Sequence, residues 1–396
     1  MIVERPALER RVLASLEAGR IPVLLGGCGS GRTSLLLRIE SLLGQDRSQY
    51  LDMAAAATTP ERCLLAIRAA ARLGPLPAAT VPGTTRAAAD ALFAYFDQAE
   101  TPAGVPTFLL DEFLDLRTFE NFPGLRHIQR ELITRWAASR SQFVLASRFT
   151  FRVHRLLRDA PARFEVIHMP PLDVTEVQAM AERVEGLRRP RGVDPAPAVA
   201  ALSGGLPSAA HVLLHGLAAM GYASDPVAAL ASAMAPDGAL TARSRESYEF
   251  RLHRARGYGA LKAILGVLAE NEPQNLTDIA RALNRTPGST KDYLSWLEDV
   301  DLVTVRGKRY IFTEPLVRMY VRLYGRPVPP TDDEIVREVS GFARTRLAPG
   351  ATAPTLAAAP AATHAPAPAP QRPQAAPARA AEPVVDGARS GIIEID

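Results

Sequence analysis

Ile21-Pro-Val-Leu-Leu-Gly-Gly-Cys-Gly-Ser-Gly-Arg-Thr-Ser34 decides the fold of this 396-residue chain. The apolar run Val23 to Leu25 reads as a buried parallel strand. A glycine-rich turn ends it, and an apolar-periodic helix opens at Thr33 and runs to Leu43. Against the P-loop pattern, Gly26 and Gly31 bracket four residues and Thr33 takes the hydroxyl position. Glycines let backbone N–H groups curl round a phosphate without Cβ clashes, and the helix N-terminus adds a positive dipole. Gly26, Gly27, Cys28, Gly29, Ser30, Gly31, Arg32, Thr33 and Ser34 are therefore the expected phosphate-binding residues. Arg32 stands where the pattern has lysine, and a planar fork is not a conservative replacement for a compact ammonium. Two readings follow. One is compositional, because Lys262, Lys291 and Lys308 are the only lysines in an arginine-rich chain. The other is a site that binds nucleotide and hydrolyses it slowly or not at all. An ordinary glycine turn without a ligand is the third alternative, and the rest of the chain speaks against it.

Working outward, Pro106-Thr-Phe-Leu-Leu-Asp-Glu-Phe113 is an apolar strand ending in two carboxylates, a Walker B arrangement. It places Asp111 where it holds Mg²⁺ through water together with Thr33. Glu112 is then positioned to orient and deprotonate a water. Gln142-Phe-Val-Leu-Ala-Ser-Arg148 is a further buried strand ending in Ser147, a candidate sensor of the γ-phosphate. Arg148 is the best candidate, among Arg148, Arg152, Arg155 and Arg158, for an arginine reaching that phosphate; a solvated basic helix is the plainer reading of the others. With Gln49-Tyr-Leu-Asp-Met53 and Phe164-Glu-Val-Ile-His168, the sheet has five parallel members, and ligands bind at the carboxyl ends of such strands. The predicted class is α/β.

The flanking segments read as helices. Leu8, Val12, Leu13 and Leu16 give the leading helix its apolar stripe, with Glu4-Arg5 before it either folding over an adenine or merely docking. The alanine-rich run from Ala54 to Arg86 reads as helix broken at Pro60, Pro75, Pro77 and Pro82, and Leu125 to Ser139 as one more helix. From Asp173 the pattern is wholly helical, with Thr175 and Gln178 as a capping box and Asp194-Pro195 opening a later helix. Gly204-Gly205-Leu206-Pro207 is a turn that brings Pro207 near the phosphate loop, or simply a helix C-cap followed by a proline start.

Arg256 to Tyr324 reads as a winged helix-turn-helix. Its third helix, Ser289 to Glu298, precedes two short strands joined by Arg306-Gly307-Lys308. Arg306, Lys308 and Arg309 are expected phosphate contacts for duplex DNA, followed by Thr290 and Lys291. Asp292 and Glu298 on the same helix, with Asp299 just beyond it, suit base-edge readout poorly, so contact without sequence readout or internal packing are both open. Glu314 to Tyr324 and Asp332 to Leu347 are two more amphipathic helices. Past Pro349 alanine and proline dominate, which predicts disorder. The last residues, Gly391-Ile-Ile-Glu-Ile-Asp396, form an apolar, acidic end that reads as a peptide ligand for a protein partner or as a frayed terminus.

The ordered set Glu4-Arg5, Gly26 to Thr33, Asp111-Glu112, Ser147 and Gly204-Gly205-Leu206-Pro207, followed by the winged helix, resembles the STAND branch of the AAA+ ATPases. The archaeal-type and origin-initiator-like members are the nearest in pattern. The resemblance covers roughly residues 1 to 325. It implies ATP and Mg²⁺ as cofactors, with a nucleotide switch on Thr33, Asp111, Glu112, Ser147 and Pro207. Initiator-like relatives carry an arginine on the lid helix, where this chain has Ser208, Ala209 and Ala210, with His211 the nearest basic group. The expected layout is an ATPase core over 1–172, a helical lid over 173–250, a winged helix over 251–328, a C-terminal helix over 329–348 and a tail over 349–396. A nucleotide-gated switch with slow or impaired hydrolysis is the leading functional reading. A non-hydrolysing ATP-bound adaptor and a DNA-binding regulator are its rivals.

Composition fits these readings. The chain is 47% hydrophobic with a formal net charge of +4, which permits nucleic acid without implying it. Cys28 and Cys63 make neither a disulfide framework nor a metal cluster. With no apolar stretch near the length of a membrane span and no signal-like start, a cytoplasmic location is the default expectation.

Overall fold

The computed structural model describes residues 4–74, 83–185, 187, 194–221 and 225–347. The predicted tail, its terminal peptide, and Pro75, Pro77 and Pro82 lie outside the described residues. Five parallel strands form the central sheet: β1 (Ile21–Leu25), β2 (Ser48–Asp52), β3 (Thr107–Asp111), β4 (Gln142–Ser147) and β5 (Phe164–His168). Their order is β2-β3-β4-β1-β5. β4 therefore lies between the strands that end at Leu25 and at Asp111. Register puts Ser147 opposite Leu25, His168 opposite Leu25 on the other side, and Asp111 opposite Asp52. All the chemistry-bearing ends thus meet at one rim. Pro22 sits inside a central strand, normally an awkward place for a residue without an N–H. Ile21 donates to Arg163 on the β5 side, so Pro22 faces β4, and pairing with β4 begins only at Val23.

Alternation along the strands divides the core into two layers. Leu24, Leu109, Val144, Ala146 and Ile167 pack against α1 (Pro6–Glu17) and α2 (Arg32–Leu43), through Leu8, Val12, Leu35, Leu36 and Ile39. Val23, Leu25, Phe108, Leu110, Phe143 and Leu145 face the opposite side. That side is covered by α3 (Met53–Ala56), α4 (Pro60–Ala70), α5 (Thr85–Gln98) and α6 (Ile128–Ala138). Trp136, Phe96, Phe108 and Phe143 interlock there at ring separations of 4.9–6.0 Å. Each such fully buried side chain contributes about 1.5–3 kcal/mol.

The helical continuation comprises α7 (Thr150–Leu157), α8 (Val174–Arg183), α9 (Ala196–Ser203), α10 (Pro207–Met220), α11 (Pro226–Ala233) and α12 (Ala239–His253). It is followed by α13 (Tyr258–Asn271), the short strand β6 (Gln274–Asn275), α14 (Leu276–Ala282), α15 (Pro287–Asp299), β7 (Val303–Arg306) and β8 (Arg309–Phe312). β6, β8 and β7 form an antiparallel sheet in that order. Helices α16 (Pro315–Tyr324) and α17 (Asp332–Arg346) close the described chain, the latter opened by a Thr331–Glu334 capping box.

Several local expectations need correction. The break expected at Pro60 is present, between α3 and α4, and Pro60 itself opens α4, because a first-turn proline loses no hydrogen bond. The capping box of α8 is Asp173 with Glu176, not Thr175 with Gln178. Residues 113–121 form a 3₁₀ helix, and α6 begins only at Ile128 rather than at Leu125. Thr290 is not a groove contact: it is fully buried, and its hydroxyl donates to Thr286 O at 2.9 Å. The reason is helical periodicity, since Thr290 shares its face with buried Leu294 and Leu297 at i+4 and i+7. Lys291, Arg306, Lys308 and Arg309 are exposed. No described helix is long and apolar enough to cross a membrane.

Candidate nucleotide site

Between β1 and α2 the backbone turns through Gly29 (φ +77°) and Gly31 (φ +88°), values that L side chains rarely adopt. Ser30 N donates to Gly27 O at 3.3 Å. The N–H groups of Gly29, Gly31, Arg32 and Thr33 donate to no other group among the described residues. The first N–H groups of a helix have no intrahelical partner, and here they converge with the turn on one concavity. Gly31 is the N-cap of α2 and offers no side-chain acceptor, so an anion is the natural partner.

Two cavities meet at this loop. The rear one, about 390 Å³, is bounded by α2, α10 and the leading segment, with Arg5, Ser34, Arg38, Pro207, His211 and Arg243 in its wall. The front one, about 420 Å³, holds Cys28, Tyr50, Asp111, Glu112, Arg148 and Glu314. Gly29, Arg32, Thr33, Ser208 and Arg243 line both. Serine 208 N donates to Gly29 O at 3.2 Å, which fixes the start of α10 against the loop.

Thr33 Oγ1 donates to Asp111 Oδ2 at 2.5 Å. The Tyr50 hydroxyl donates to the same oxygen at 3.2 Å, and Glu112 N to Asp111 Oδ1 at 3.0 Å. Burial and the Asp111 carboxylate push the Tyr50 phenol well above its ordinary value, so it remains a donor. A hydroxyl and a carboxylate in contact, beside free N–H groups, suit a hard cation with phosphate oxygens. The residues present therefore fit magnesium–nucleotide, with Thr33 and Asp111 as the metal side and Gly26 to Ser34 as the phosphate side.

Glu112 lies just past β3 in the left-handed region (φ +50°), an uncommon place for a non-glycine residue. That turn aims its carboxylate at two arginines. Arg32 Nη2 donates to Glu112 Oε1 at 2.6 Å, while Arg32 Nη1 donates to Gly26 O. Arg148 forms an ion pair with the same oxygen at 2.9 Å and donates its backbone N–H to Oε2 at 3.2 Å. Arg32 and Glu112 are both buried. Burial lowers the Arg32 guanidinium from its ordinary value against the opposing pull of Glu112 and Asp111. At Arg148 burial also lowers, but Glu112 prevails and the net shift is upward. Arg148 further lies 4.5 Å over the Phe250 ring.

Ser147 is fully buried, and its Oγ accepts from Phe149 N at 3.1 Å. Its carbonyl accepts from Gly26 N at 3.4 Å, so Ser147 touches the loop through backbone. Ser30 Oγ is buried without a partner. Sequence reasoning missed Tyr50, Arg243, Arg251 and Glu314. Arg243 of α12 donates to Ser208 O at 2.5 Å and brings a guanidinium to both cavities. His211 stacks on His215 with centroids 4.3 Å apart; burial, His215 and Arg243 all lower its pKa.

No protein-family profile matches the chain, and no curated protein matches it. Among solved structures, the Walker-type ATPase of Pyrococcus abyssi is similar over 81% of this chain and 96% of its own, at 17% identity and a TM-score of 0.62. The fold is that of a P-loop, Walker-type ATPase. A RuvB variant of Thermotoga maritima (83% of this chain, 96% of that one, 15% identity, TM-score 0.38) and the Aeropyrum pernix Orc1 protein in complex with DNA (88%, 95%, 16%, 0.42) also match. At those scores neither adds to the assignment.

Proposed function

We propose that this AAA+-fold chain binds magnesium–ATP at Gly26 to Ser34 and works as a STAND-type nucleotide-dependent switch with slow or impaired hydrolysis. The observation that carries this reading is the capture of Glu112 between Arg32 and Arg148. A general base must offer a free lone pair to the water it orients. With two guanidiniums and a backbone N–H engaged, this carboxylate has little left to offer. In the same arrangement Arg32 is turned to Glu112 and Gly26, away from the role a P-loop lysine fills. Thr33 and Asp111 would hold magnesium, which when bound would supply positive charge to the transferring phosphate; Ser147 sits behind Gly26, and Arg32 reaches phosphate only after releasing Glu112. ATP state is then read out by the lid helices and by the C-terminal module, which we take as a winged helix.

Calorimetric titration with magnesium–ATP, paired with single-turnover hydrolysis, tests this. Clear binding with turnover far below the ordinary ~1 s⁻¹ floor is the expected result. Ordinary turnover would overturn the switch reading, and failure to bind would overturn the site. A second reading, duplex-DNA contact, is favoured by the exposed basic hairpin tip at Arg306, Lys308 and Arg309.

A further inference from the structure

Gly27 is not among the glycines with a positive φ, so its backbone would accept any L residue. Space is what forbids one. A Cβ on Gly27 would lie 2.5 Å from Glu314 Oε1 and 3.4 Å from Arg251 Nη2. Glu314 precedes α16 and occupies its N-cap position without capping it; the carboxylate is turned instead onto the phosphate loop. There it pairs with Arg251 from α12, a guanidinium only 1% exposed. Arg251 also donates to Asp301 O at 2.9 Å and lies 3.9 Å from Cys28 Sγ, while its Nε is buried with no partner. The Asp301 carboxylate accepts from Phe151 N at 3.2 Å at the start of α7, directly after the β4 rim. A negative charge thus rests on a loop whose free N–H groups are arranged for a negative ligand. It does so in the front cavity, beside Glu112 and Arg148, where the last phosphate of a nucleotide would react.

We propose that Glu314 and Arg251 form a latch on the phosphate loop: Glu314 holds the anion side when no triphosphate is present, and a terminal phosphate displaces it and takes over Arg251. This rests on the nucleotide-binding reading and names how the site is regulated. Like charges cannot share the loop, so phosphate arrival drives the carboxylate out. Departure of Glu314 from the loop breaks its ion pair with Arg251 of α12 and its contact with Gly27, so the first turn of α16 loses the anchor that ties it to the loop, while Leu316 and Val317 keep the helix on the core. A diphosphate, being shorter by the group that contests the carboxylate, leaves the latch shut. Coupling of this kind is reciprocal, and whatever frees α16 also favours triphosphate.

The test compares wild type, Glu314→Gln and Gly27→Ala as full chains, by calorimetric titration with Mg·ATP and Mg·ADP and by hydrogen exchange of the α16 amides. Glu314→Gln is expected to bind ATP about tenfold more tightly, within the usual range of coupling, with ADP affinity unchanged. Gly27→Ala keeps every charge and places a methyl where the carboxylate rests. Its α16 amides are expected to exchange, without nucleotide, as fast as those of ATP-bound wild type. Equal ATP-to-ADP affinity ratios in wild type and Glu314→Gln would overturn the latch, as would α16 exchange indifferent both to ATP and to Gly27→Ala. Absence of nucleotide binding in every protein is a different result, and it would overturn the phosphate-loop reading beneath it.

Discussion

The two cavities on either side of the phosphate loop are built from opposite materials. The rear one is walled by α2, α10 and Arg5, which is tied to Pro170 O and Glu176, and it shares the unpaired N–H groups of Gly29, Arg32 and Thr33 with the front one. The front one is lined by carboxylates that already have partners: Glu112 with Arg32 and Arg148, Asp111 with the Thr33 and Tyr50 hydroxyls, Glu314 with Arg251. Free donors favour capture of an anion, whereas satisfied ion pairs must break before they can act on one. On the proposed reading, holding a nucleotide and reacting it draw on different groups: unpaired N–H donors of the loop for the one, carboxylates already in ion pairs for the other.

The sharpest way to break that separation is through Glu112. Glu112→Gln should leave ATP affinity near that of wild type and cut whatever hydrolysis exists by about 10²–10⁴-fold. A matching loss of affinity would show that the two walls act as one. Arg32→Lys should work in the other direction. An ammonium is too short to keep both Glu112 and Gly26, so single-turnover hydrolysis should rise by about 10²-fold with little change in affinity. A wild-type rate equal to or above that of the lysine variant would show a site adapted to arginine. Asp111→Ala and Thr33→Ala strike the edge common to both cavities. Each should weaken Mg·ATP by roughly 10–100-fold, and equal affinity in Thr33→Ala by calorimetry would contradict the assignment.

A smaller effect belongs to Asp301, whose carboxyl burial pushes up to about 6. Raised above its unfolded value near 3.8, it contributes stability that is full below that value and is lost as pH rises through about 6. Asp301→Asn should therefore be more stable than wild type at pH 7.5 by up to about 3 kcal/mol, at about 1.4 kcal/mol per pKa unit, and the advantage should shrink as pH falls toward 4. An advantage that grows on acidification would show that another group controls this region. Least affected is the hairpin tip, remote from both cavities. Alanine at Arg306, Lys308 and Arg309 together should not alter ATP affinity. It should flatten the log–log salt dependence of any DNA binding by up to about 2.7, at about 0.9 per phosphate; no gel shift by wild type at low salt would remove DNA from the account.

What could be read in the sequence follows the range of the interaction. The strands at the rim announce themselves as apolar runs closed by Gly26, Asp111 or Ser147, since a buried parallel strand must be apolar and its ligand end polar. Their order puts β4 between the strands of the two motifs, as the sensor reading of Ser147 assumes. Arg148 was legible as a site residue, but not as the holder of Glu112, because that depends on the left-handed turn after Asp111. Tyr50, Arg243, Arg251 and Glu314 carry no motif and arrive from three separate elements, β2, α12 and the start of α16. One trace was available for Arg251, which shares a helix face with buried Tyr248 and Leu252. A cation amid an apolar stripe requires an anionic partner. Thr290 erred oppositely: its spacing to Leu294 and Leu297 already placed it inward.

The order of the sheet also bears on how the chain comes into being. β1, which carries the phosphate loop, is made first, yet its partners are β4 and β5, and pairing runs as far as His168. Arg5 waits longer still, for it donates to Pro170 O and to Glu176, 171 residues downstream. At about 5–20 residues per second, β1 spends roughly six to thirty seconds of synthesis without its neighbours. β2 and β3, by contrast, can pair while the ribosome is still translating α6. During that interval the most apolar strand of the sheet is an open edge, so this is the stage at which a chaperone would have most to protect.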